Sequence, residues 1–195
     1  TLDLLLAQAS DSTAPKSVVI YTDFYRAFWG IQAFGGQVFD NQGRVVLDAG
    51  GFANWLGWLK IAQKAPGVFL TNDREVGSAL FMQGQAAYYV GESDEAQALQ
   101  AALGSDALGV APLPAGPHGP AGPLLRVDAL MLNQASSPAQ SQLALCLAKF
   151  LTNTEQQTRL ARDLGRVPAN GRVRIDPRVT PLVAGFMAQA KTAVA

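Results

Sequence analysis

The alternation of short β-branched runs with longer amphipathic stretches most limits the folds open to this chain. Runs rich in Val, Ile, Leu and Tyr predict strands at residues 17–21, 44–47, 86–90, 108–111 and 125–132. Apolar side chains at helical spacing predict helices at residues 2–6, 23–34, 52–59, 75–83 and 96–103, and three more after residue 138. Strands that alternate with helices in this way predict an α/β fold with a helical C-terminal part.

One segment interrupts this alternation. Residues 112–123 contain five of the chain's 11 prolines and three glycines. Because proline lacks the backbone N–H group that a helix interior or a central strand requires, this segment is predicted to be an extended connector.

The composition argues against nucleic-acid binding and against a membrane-spanning helix. The chain carries 15 basic and 15 acidic residues, so it lacks the excess of Lys and Arg that a nucleic-acid-binding surface needs. Its longest apolar stretches, such as residues 143–151, are about half as long as the roughly 20 residues of a membrane-spanning helix. We therefore expect a water-soluble chain with no nucleic-acid partner.

Few residues are available for metal binding or nucleophilic catalysis. The single cysteine, Cys146, lies among leucines and is predicted to be a small buried hydrophobic residue. The single histidine, His118, lies in the proline-rich connector, where catalytic geometry is difficult to hold. No nucleophile elbow, P-loop or dinucleotide-binding glycine motif occurs. We expect no metal, no cofactor and no enzymatic activity.

Carboxylates leave an enzyme open as a minor alternative. Glu92 with Asp94, or Asp23 with Asp128, could form an acid/base pair. Glycoside hydrolysis needs two carboxyl groups on opposite sides of one bond, whereas Glu92 and Asp94 leave the same short loop. Acidic residues that complement the positive end of a helix dipole are the simpler interpretation.

Four short motifs follow one another along the chain. They read AFGGQVFD at 33–40, FMQGQAAYY at 81–89, VAPLPAG at 110–116, and FLTNTEQQ at 150–157 followed by GRVP at 165–168. In this order the motifs resemble those of family 1 extracellular solute-binding proteins, the maltose-binding-like receptors of ABC importers. The resemblance implies a type II periplasmic-binding-protein-like fold that captures a solute between two lobes and catalyses no reaction.

The resemblance also implies a division of the chain. Residues 1–112 correspond to an α/β second lobe, 113–123 to the connector, 124–176 to part of the first lobe, and 177–195 to a helix that returns to the second lobe. Family receptors carry a first-lobe segment before the point that matches Thr1, so we expect this chain to be partial. Its apolar surface would then favour a homo-oligomer, since large exposed apolar patches are uncommon on monomers.

The site residues that the resemblance implies begin at the second predicted helix. In the family, the segment that matches Asp23, Phe24 and Tyr25 faces the cleft between the lobes, and an aromatic residue at the position of Tyr25 stacks on a sugar ring. This stacking is favourable because a pyranose offers an apolar C–H face bordered by hydroxyl groups. The aromatic residues Trp55 and Trp58 are expected in the core rather than against a ligand.

A second group of site residues follows the predicted strand at 86–90. Relatives carry a glycine followed by an aromatic residue there, whereas this chain reads Gly91, Glu92, Ser93 and Asp94. Carboxylates in place of the aromatic residue indicate that a more polar or cationic solute is an alternative to a plain oligosaccharide. Arg126 is expected either in the cleft or in a salt bridge near the hinge.

The resemblance implies further partners and a location. The partners are a small-molecule solute and the permease subunits of an ABC importer. The location is periplasmic or extracellular, reached through an export or lipoprotein signal of the parent protein that we do not recognise in this sequence. The alternative function is a ligand-sensing effector domain of a transcription regulator.

Overall fold

The computed structural model describes residues 1–11, 16–47 and 50–194, and its architecture confirms the α/β prediction. The helices are α1 (Leu2–Asp11), α2 (Phe24–Ala27), α3 (Trp29–Ala33), α4 (Gly51–Ala62), α5 (Arg74–Met82), α6 (Ala96–Leu103), α7 (Pro138–Leu151), α8 (Thr154–Leu164) and α9 (Pro181–Ala190). The strands are β1 (Lys16–Tyr21), β2 (Val68–Thr71) and β3 (Ala86–Tyr89), and a short 3₁₀ turn (Ser93–Glu95) precedes α6. No helix in the described residues is long and apolar enough to cross a membrane.

The three strands form a parallel sheet in the order β2-β1-β3. Val18 of β1 is paired with Val68 on one side and with Tyr88 on the other. Central strands of parallel sheets are covered on both faces and therefore read as continuous apolar runs. Val18, Val19 and Ile20 are accordingly fully buried, and β1 leads directly into α2 at the site described below.

Tryptophan residues connect α3 and α4 in the core. The Trp55 ring lies 5.2 Å from that of Trp58 and 4.7 Å from that of Trp29, measured between ring centroids. The Trp55 indole Nε1 donates a hydrogen bond of 2.9 Å to the carbonyl oxygen of Ala27. The absence of a side chain at Gly30 leaves room for the Trp55 ring, because a Cβ atom at that position would overlap it. Trp55 and Trp58 are thus core residues, as predicted.

Side-chain caps determine where several helices begin. The carboxylate of Asp73 accepts hydrogen bonds from the backbone N–H groups of Glu75 and Val76 and so caps α5, the helix predicted at residues 75–83. Ser137 and Asn153 cap α7 and α8 in the same way. The predicted helix over residues 23–34 is present as two short helices, with Asp23 as the cap of the first.

The predicted strands at 44–47, 108–111 and 125–132 were wrong, and β2 was missed. Val45 makes only a single antiparallel bridge, to Phe39, and Leu124 makes only a single parallel bridge, to Val194. A β-branched run becomes a strand only when another strand lies beside it, and no described strand lies along these segments. β2 has four residues, all of intermediate burial.

The prediction that Cys146 is buried was also wrong, since its side chain is exposed. The helix predicted around Cys146 is present as α7, which packs against α8. However, three apolar side chains of α7, those of Leu143, Leu147 and Phe150, are more than half exposed in the described structure. Helical periodicity identifies an apolar face but does not show what covers it.

The connector is irregular, as predicted, and is held by backbone hydrogen bonds. The N–H group of Leu2 donates to the carbonyl of Ala115, that of His118 to Ala33, and that of Gly122 to Trp29, each at 3.0 Å. The connector therefore runs across α1 and α3 and leads the chain to one side of the site.

Candidate functional site

A cavity of about 340 Å³ lies between α2, the loop after β3, the segment after the connector, and α9. This volume is within the range of small-molecule sites. The cavity is lined by the aromatic residues Tyr25, Trp29, Phe81, Tyr89 and Phe186, by the charged residues Arg26, Glu92, Arg126, Asp128 and Arg166, and by apolar residues that include Leu99 and Leu113. A second depression of about 490 Å³ near Lys60 and Thr71 has no aromatic lining residue and is more open to solvent.

The cavity brings together four of the seven site residues expected from the sequence. Tyr25, Glu92, Ser93 and Arg126 line it, and the Tyr25 side chain is 43% exposed. Asp23, Phe24 and Asp94 are not among its lining residues.

Asp23 and Phe24 have structural contacts instead. One Asp23 carboxylate oxygen accepts a hydrogen bond of 3.0 Å from the backbone N–H of Arg26, and the other lies 3.4 Å from the Arg26 guanidinium. The Phe24 ring packs edge-on against Phe28 and Phe52. These two residues therefore fix the start of α2 and the position of the neighbouring Tyr25.

The carboxylates of the loop after β3 already have cationic partners. Arg126 lies 2.8 Å from Asp94, and Arg74 lies 3.6 Å from Asp94 and 4.0 Å from Glu92. Partial burial raises the pKa of Asp94, but the hydrogen bond and the charge of Arg126, together with the charge of Arg74, hold that pKa below its usual range. Both guanidinium groups thus compensate negative charge at the rim of the cavity.

Glu95 holds the backbone of this loop in place. Its carboxylate is only 9% exposed and accepts hydrogen bonds of 2.9 Å from the backbone N–H of Glu92 and from Nε of Arg74. The bond to Glu95 raises the pKa of Arg74. Gly91 is required at the start of the loop, because a Cβ atom there would overlap the Tyr89 ring.

Two tyrosines extend this network to the central strand. The Tyr89 hydroxyl lies 3.0 Å from both carboxylate oxygens of Glu95 and 2.8 Å from the Tyr21 hydroxyl, which also lies 3.0 Å from the carbonyl oxygen of Arg74. Burial raises the pKa of Tyr89, and the hydrogen bond with Tyr21 and the charge of Glu95 raise it further. Both rings therefore stay uncharged at neutral pH and fix the loop to β1 and β3.

Sequence reasoning missed Arg74, Glu95 and Tyr89. Glu92 and Glu95 have the spacing of a capping box, and that signal could have identified Glu95. No local pattern connects Arg74 with Glu95, because 21 residues separate them.

Two residues of the cavity lining carry a buried donor that lacks a protein partner. Within the described residues, Nε of Arg26 and Nε1 of Trp29 are buried and have no hydrogen-bond acceptor. A buried donor left unpaired costs about 1 to 3 kcal/mol. No group of three or more His, Cys, Asp or Glu side chains in the described part of the chain could hold a metal ion.

Known structures with this architecture support the fold. The maltose-bound MalE3 of T. maritima is similar, with a TM-score of 0.76, 23% sequence identity, and coverage of 100% of this chain and 54% of that one. The GacH receptor of Streptomyces glaucescens, solved unliganded and with acarbose, has a TM-score of 0.80 at 17% identity. The match covers 100% of this chain and 52% of that receptor. The maltotriose-binding protein of Thermus thermophilus has a TM-score of 0.67 at 24% identity. The match covers 99% of this chain and 53% of that protein.

This chain thus spans about half the length of the solved structures it matches. No curated protein sequence matches it. A family model described as bacterial extracellular solute-binding protein matches residues 5–184, which is most of the chain. Together with the fold and the cavity, this match shows that the chain belongs to the bacterial extracellular solute-binding protein family.

Proposed function

We propose that this chain is part of a receptor that captures an uncharged sugar, or a related polar small molecule, for an ABC importer. The observation that carries the proposal is the exposed ring of Tyr25 at the wall of a cavity of about 340 Å³. An aromatic face with polar neighbours matches the apolar face and hydroxyl rim of a pyranose.

The charges of the site favour an uncharged solute over a cationic one. The carboxylates of Glu92 and Asp94 lie within 4.0 Å of Arg74 or Arg126. A cationic solute would have to displace these guanidinium groups, whereas sugar hydroxyl groups can bind beside them. The similar structures of MalE3 and GacH, which were solved with maltose and acarbose respectively, support this class of solute.

The proposed activity is binding without turnover. Glycoside hydrolysis requires one carboxyl group as a proton donor and a second as a base or nucleophile. Asp94 is paired with two arginines and Asp23 caps α2, so both are committed to structural contacts. The family assignment also favours binding, and the alternative of an effector domain in a transcription regulator draws no support from the similar structures.

The remaining parts of the proposal concern lobes, partners and location. We assign residues 1–112 to the second lobe, 113–123 to the connector, 124–176 to part of the first lobe and 177–195 to the returning helix. The partners would be the permease subunits of the importer, and self-association would cover the exposed apolar face of α7. The location would be outside the cytoplasmic membrane, in keeping with the family, with lipoprotein attachment as one form of anchoring.

Isothermal titration calorimetry of the full-length gene product that carries this chain tests the proposal. The probes are maltose, maltotriose and acarbose as sugars or sugar analogues, glucosamine as a cationic sugar and gluconate as an anionic one. We expect saturable binding of at least one uncharged sugar and no release of glucose from maltotriose over hours. Binding of glucosamine alone, binding of none of the probes, or release of glucose would contradict the proposal.

A further inference from the structure

We propose that Arg74 is a positioning residue for solute binding, which fixes the loop at 91–94 so that Glu92 and Ser93 line the cavity. The inference rests on the proposed function and adds a residue that acts on the solute only through other side chains. Arg74 is not among the residues that line the cavity, whereas Tyr89, Glu92 and Ser93 are.

The guanidinium of Arg74 lies beside three carboxylates of this loop and the turn that follows it. Its Nε lies 2.9 Å from Oε1 of Glu95, and its Nη2 lies 3.6 Å from the carboxylate of Asp94 and 4.0 Å from that of Glu92. Three acidic side chains within four positions repel one another. A cation at the start of α5 therefore stabilises the conformation that brings them together.

Glu95 connects Arg74 to two residues of the cavity lining. Its carboxylate accepts a hydrogen bond of 2.9 Å from the backbone N–H of Glu92 and hydrogen bonds of 3.0 Å from the Tyr89 hydroxyl. Glu95 is buried, and Arg74 is the one cation within 4.0 Å of it among the described residues. Because a buried charge without a cationic partner is costly, loss of this contact should shift the carboxylate towards solvent and move the backbone of Glu92 with it.

Arg74 is itself fixed by the surrounding fold. The Asp73 cap begins α5 immediately before it. The backbone carbonyl oxygen of Arg74 accepts hydrogen bonds of 3.0 Å from the Tyr21 hydroxyl and 2.9 Å from the Ser78 hydroxyl. Since Tyr21 belongs to the central strand β1, Arg74 positions the loop relative to the sheet.

The contacts of Arg74 require the geometry of arginine and not only its charge. Nε binds Glu95 while Nη2 faces Asp94, so two nitrogens of one rigid planar group are used at once. Lysine offers a single nitrogen on a flexible stem. Arg74→Lys therefore keeps the charge and removes the simultaneous contacts.

Arg44 supplies a matched control on the same lobe. Its guanidinium lies 2.7 Å from the carboxylate of Asp40, and neither residue lines the cavity. Arg44→Lys thus makes the same chemical change in an ion pair away from the site.

The test measures the affinity of the full-length gene product for maltotriose by calorimetry. We expect Arg74→Lys to weaken binding about fivefold, which corresponds to about one net hydrogen bond, and Arg44→Lys to bind within about twofold of the parent. If Arg74 acts through Glu95, the double variant Arg74→Lys with Glu95→Gln should bind about as weakly as the weaker single variant. An Arg74→Lys protein with the affinity of the parent, or losses that multiply in the double variant, would overturn the inference and leave the proposed function intact.

Amide hydrogen exchange without solute follows the position of the loop directly. The backbone N–H of Glu92 donates to Glu95, whereas that of Val90 donates to the carbonyl of Val19 in β1 at 3.1 Å. We expect Arg74→Lys to speed the exchange of the Glu92 amide several-fold more than that of the Val90 amide, because the loop alone is released. A general loss of stability would speed both amides alike and would overturn the inference.

The parent protein provides two outcomes that need no variant to fold. A Glu92 amide that exchanges as fast as in an unstructured peptide would overturn the inference alone, since the loop would then not be held by Glu95. A parent protein that binds none of the sugars would overturn the inference together with the proposed function.

Discussion

The guanidinium of Arg126 lies 2.8 Å from the carboxylate of Asp94, and this contact joins the segment after the connector to the loop after β3. The two residues are 32 positions apart; Arg126 lines the cavity, and Asp94 directly follows the lining residues Glu92 and Ser93. The same carboxylate also faces Arg74 at 3.6 Å, so one anion is shared by two cations. The strength of both contacts therefore depends on the ionisation of Asp94.

The Asp94 contact predicts a dependence of stability on pH. The folded-state pKa of Asp94 is lowered, so its contribution to the free energy of unfolding is present above the unfolded pKa of about 3.9 and is lost as the pH falls through the folded pKa. We expect Asp94→Asn to lower the free energy of unfolding by about 1 kcal/mol or less at pH 7, because Arg126 is largely exposed. Urea unfolding at several pH values measures the difference, which should shrink towards pH 3.

Asp106→Asn is the matched control for this experiment. The only hydrogen bond of the Asp106 side chain in the described structure is with the adjacent Ser105. This variant should follow the parent at every pH. An Asp94→Asn protein whose deficit stays constant down to pH 3 would contradict the proposed role of Asp94.

Removal of the Tyr25 ring should weaken solute binding. We expect Tyr25→Ala in the full-length gene product to lose about 1 to 3 kcal/mol of binding free energy, since an aromatic platform is lost. Tyr88 is a suitable control, because it is also 43% exposed but does not line the cavity. Equal affinities of the Tyr25→Ala and Tyr88→Ala proteins would show that the cavity has been assigned to the wrong residues.

Replacement of Glu95 should disturb the loop at the cavity rim. Glu95→Gln retains the shape of the side chain but removes the charge that pairs with Arg74 and leaves the buried network incompletely bonded. We expect a loss of about 1 to 3 kcal/mol in the free energy of unfolding. Urea titration measures it, with the exposed Glu75→Gln as a control on the neighbouring helix. Equal stabilities of the two variants would contradict a structural role for Glu95.

Two glycines should respond to substitution with opposite signs. A Cβ atom at Gly30 would overlap the Trp55 ring, so Gly30→Ala should destabilise the fold by about 1 to 3 kcal/mol. Gly57 lies in the exposed face of α4 with nothing within 4 Å of the added atom, so Gly57→Ala should stabilise it by about 0.5 to 1 kcal/mol. Thermal unfolding of both variants tests the packing of α3 against α4, and a neutral Gly30→Ala would refute it.

The exposed face of α7 predicts that the isolated 195-residue chain self-associates. Leu143, Leu147 and Phe150 are each more than half exposed and lie on one helix. Light scattering should show dimers or larger species, and the chain should bind a hydrophobic dye. Leu143→Glu combined with Leu147→Glu should reduce both signals. A clean monomer that binds no dye would contradict the prediction.

The elements that the sequence predicted correctly are those with strong local signals. The run at 17–21 forms β1, the stretch at 75–83 forms α5, and the proline-rich segment is irregular. The errors occur where the formation of a strand or the burial of a side chain depends on residues far away in the sequence. Residues 125–132 have strand composition, but no described strand lies beside them, and Cys146 lies on an apolar helix face that the described residues leave open.

The candidate site shows the same difference between residues with a local sequence signal and residues paired over a long distance in the sequence. The resemblance identified Tyr25 and the loop at 91–94, and the cavity contains Tyr25, Glu92 and Ser93. It did not identify Arg74, whose partners Glu95 and Asp94 follow it by about 20 residues through β3 and the 3₁₀ turn. Long-range ion pairs of this kind leave no local periodicity in a sequence, so only the folded arrangement identifies them.

The backbone contacts of the connector have a consequence for the order of folding. Ala115 accepts from Leu2 near one end of the chain, while Val194 near the other end donates to Pro123 and accepts from Leu125. Contacts between residues so far apart raise the contact order and slow the closure of the chain. During synthesis on a ribosome, the sheet and its tryptophan core can assemble first. The wall formed by α9 can close only after that helix has emerged, so the cavity forms after the sheet and its tryptophan core.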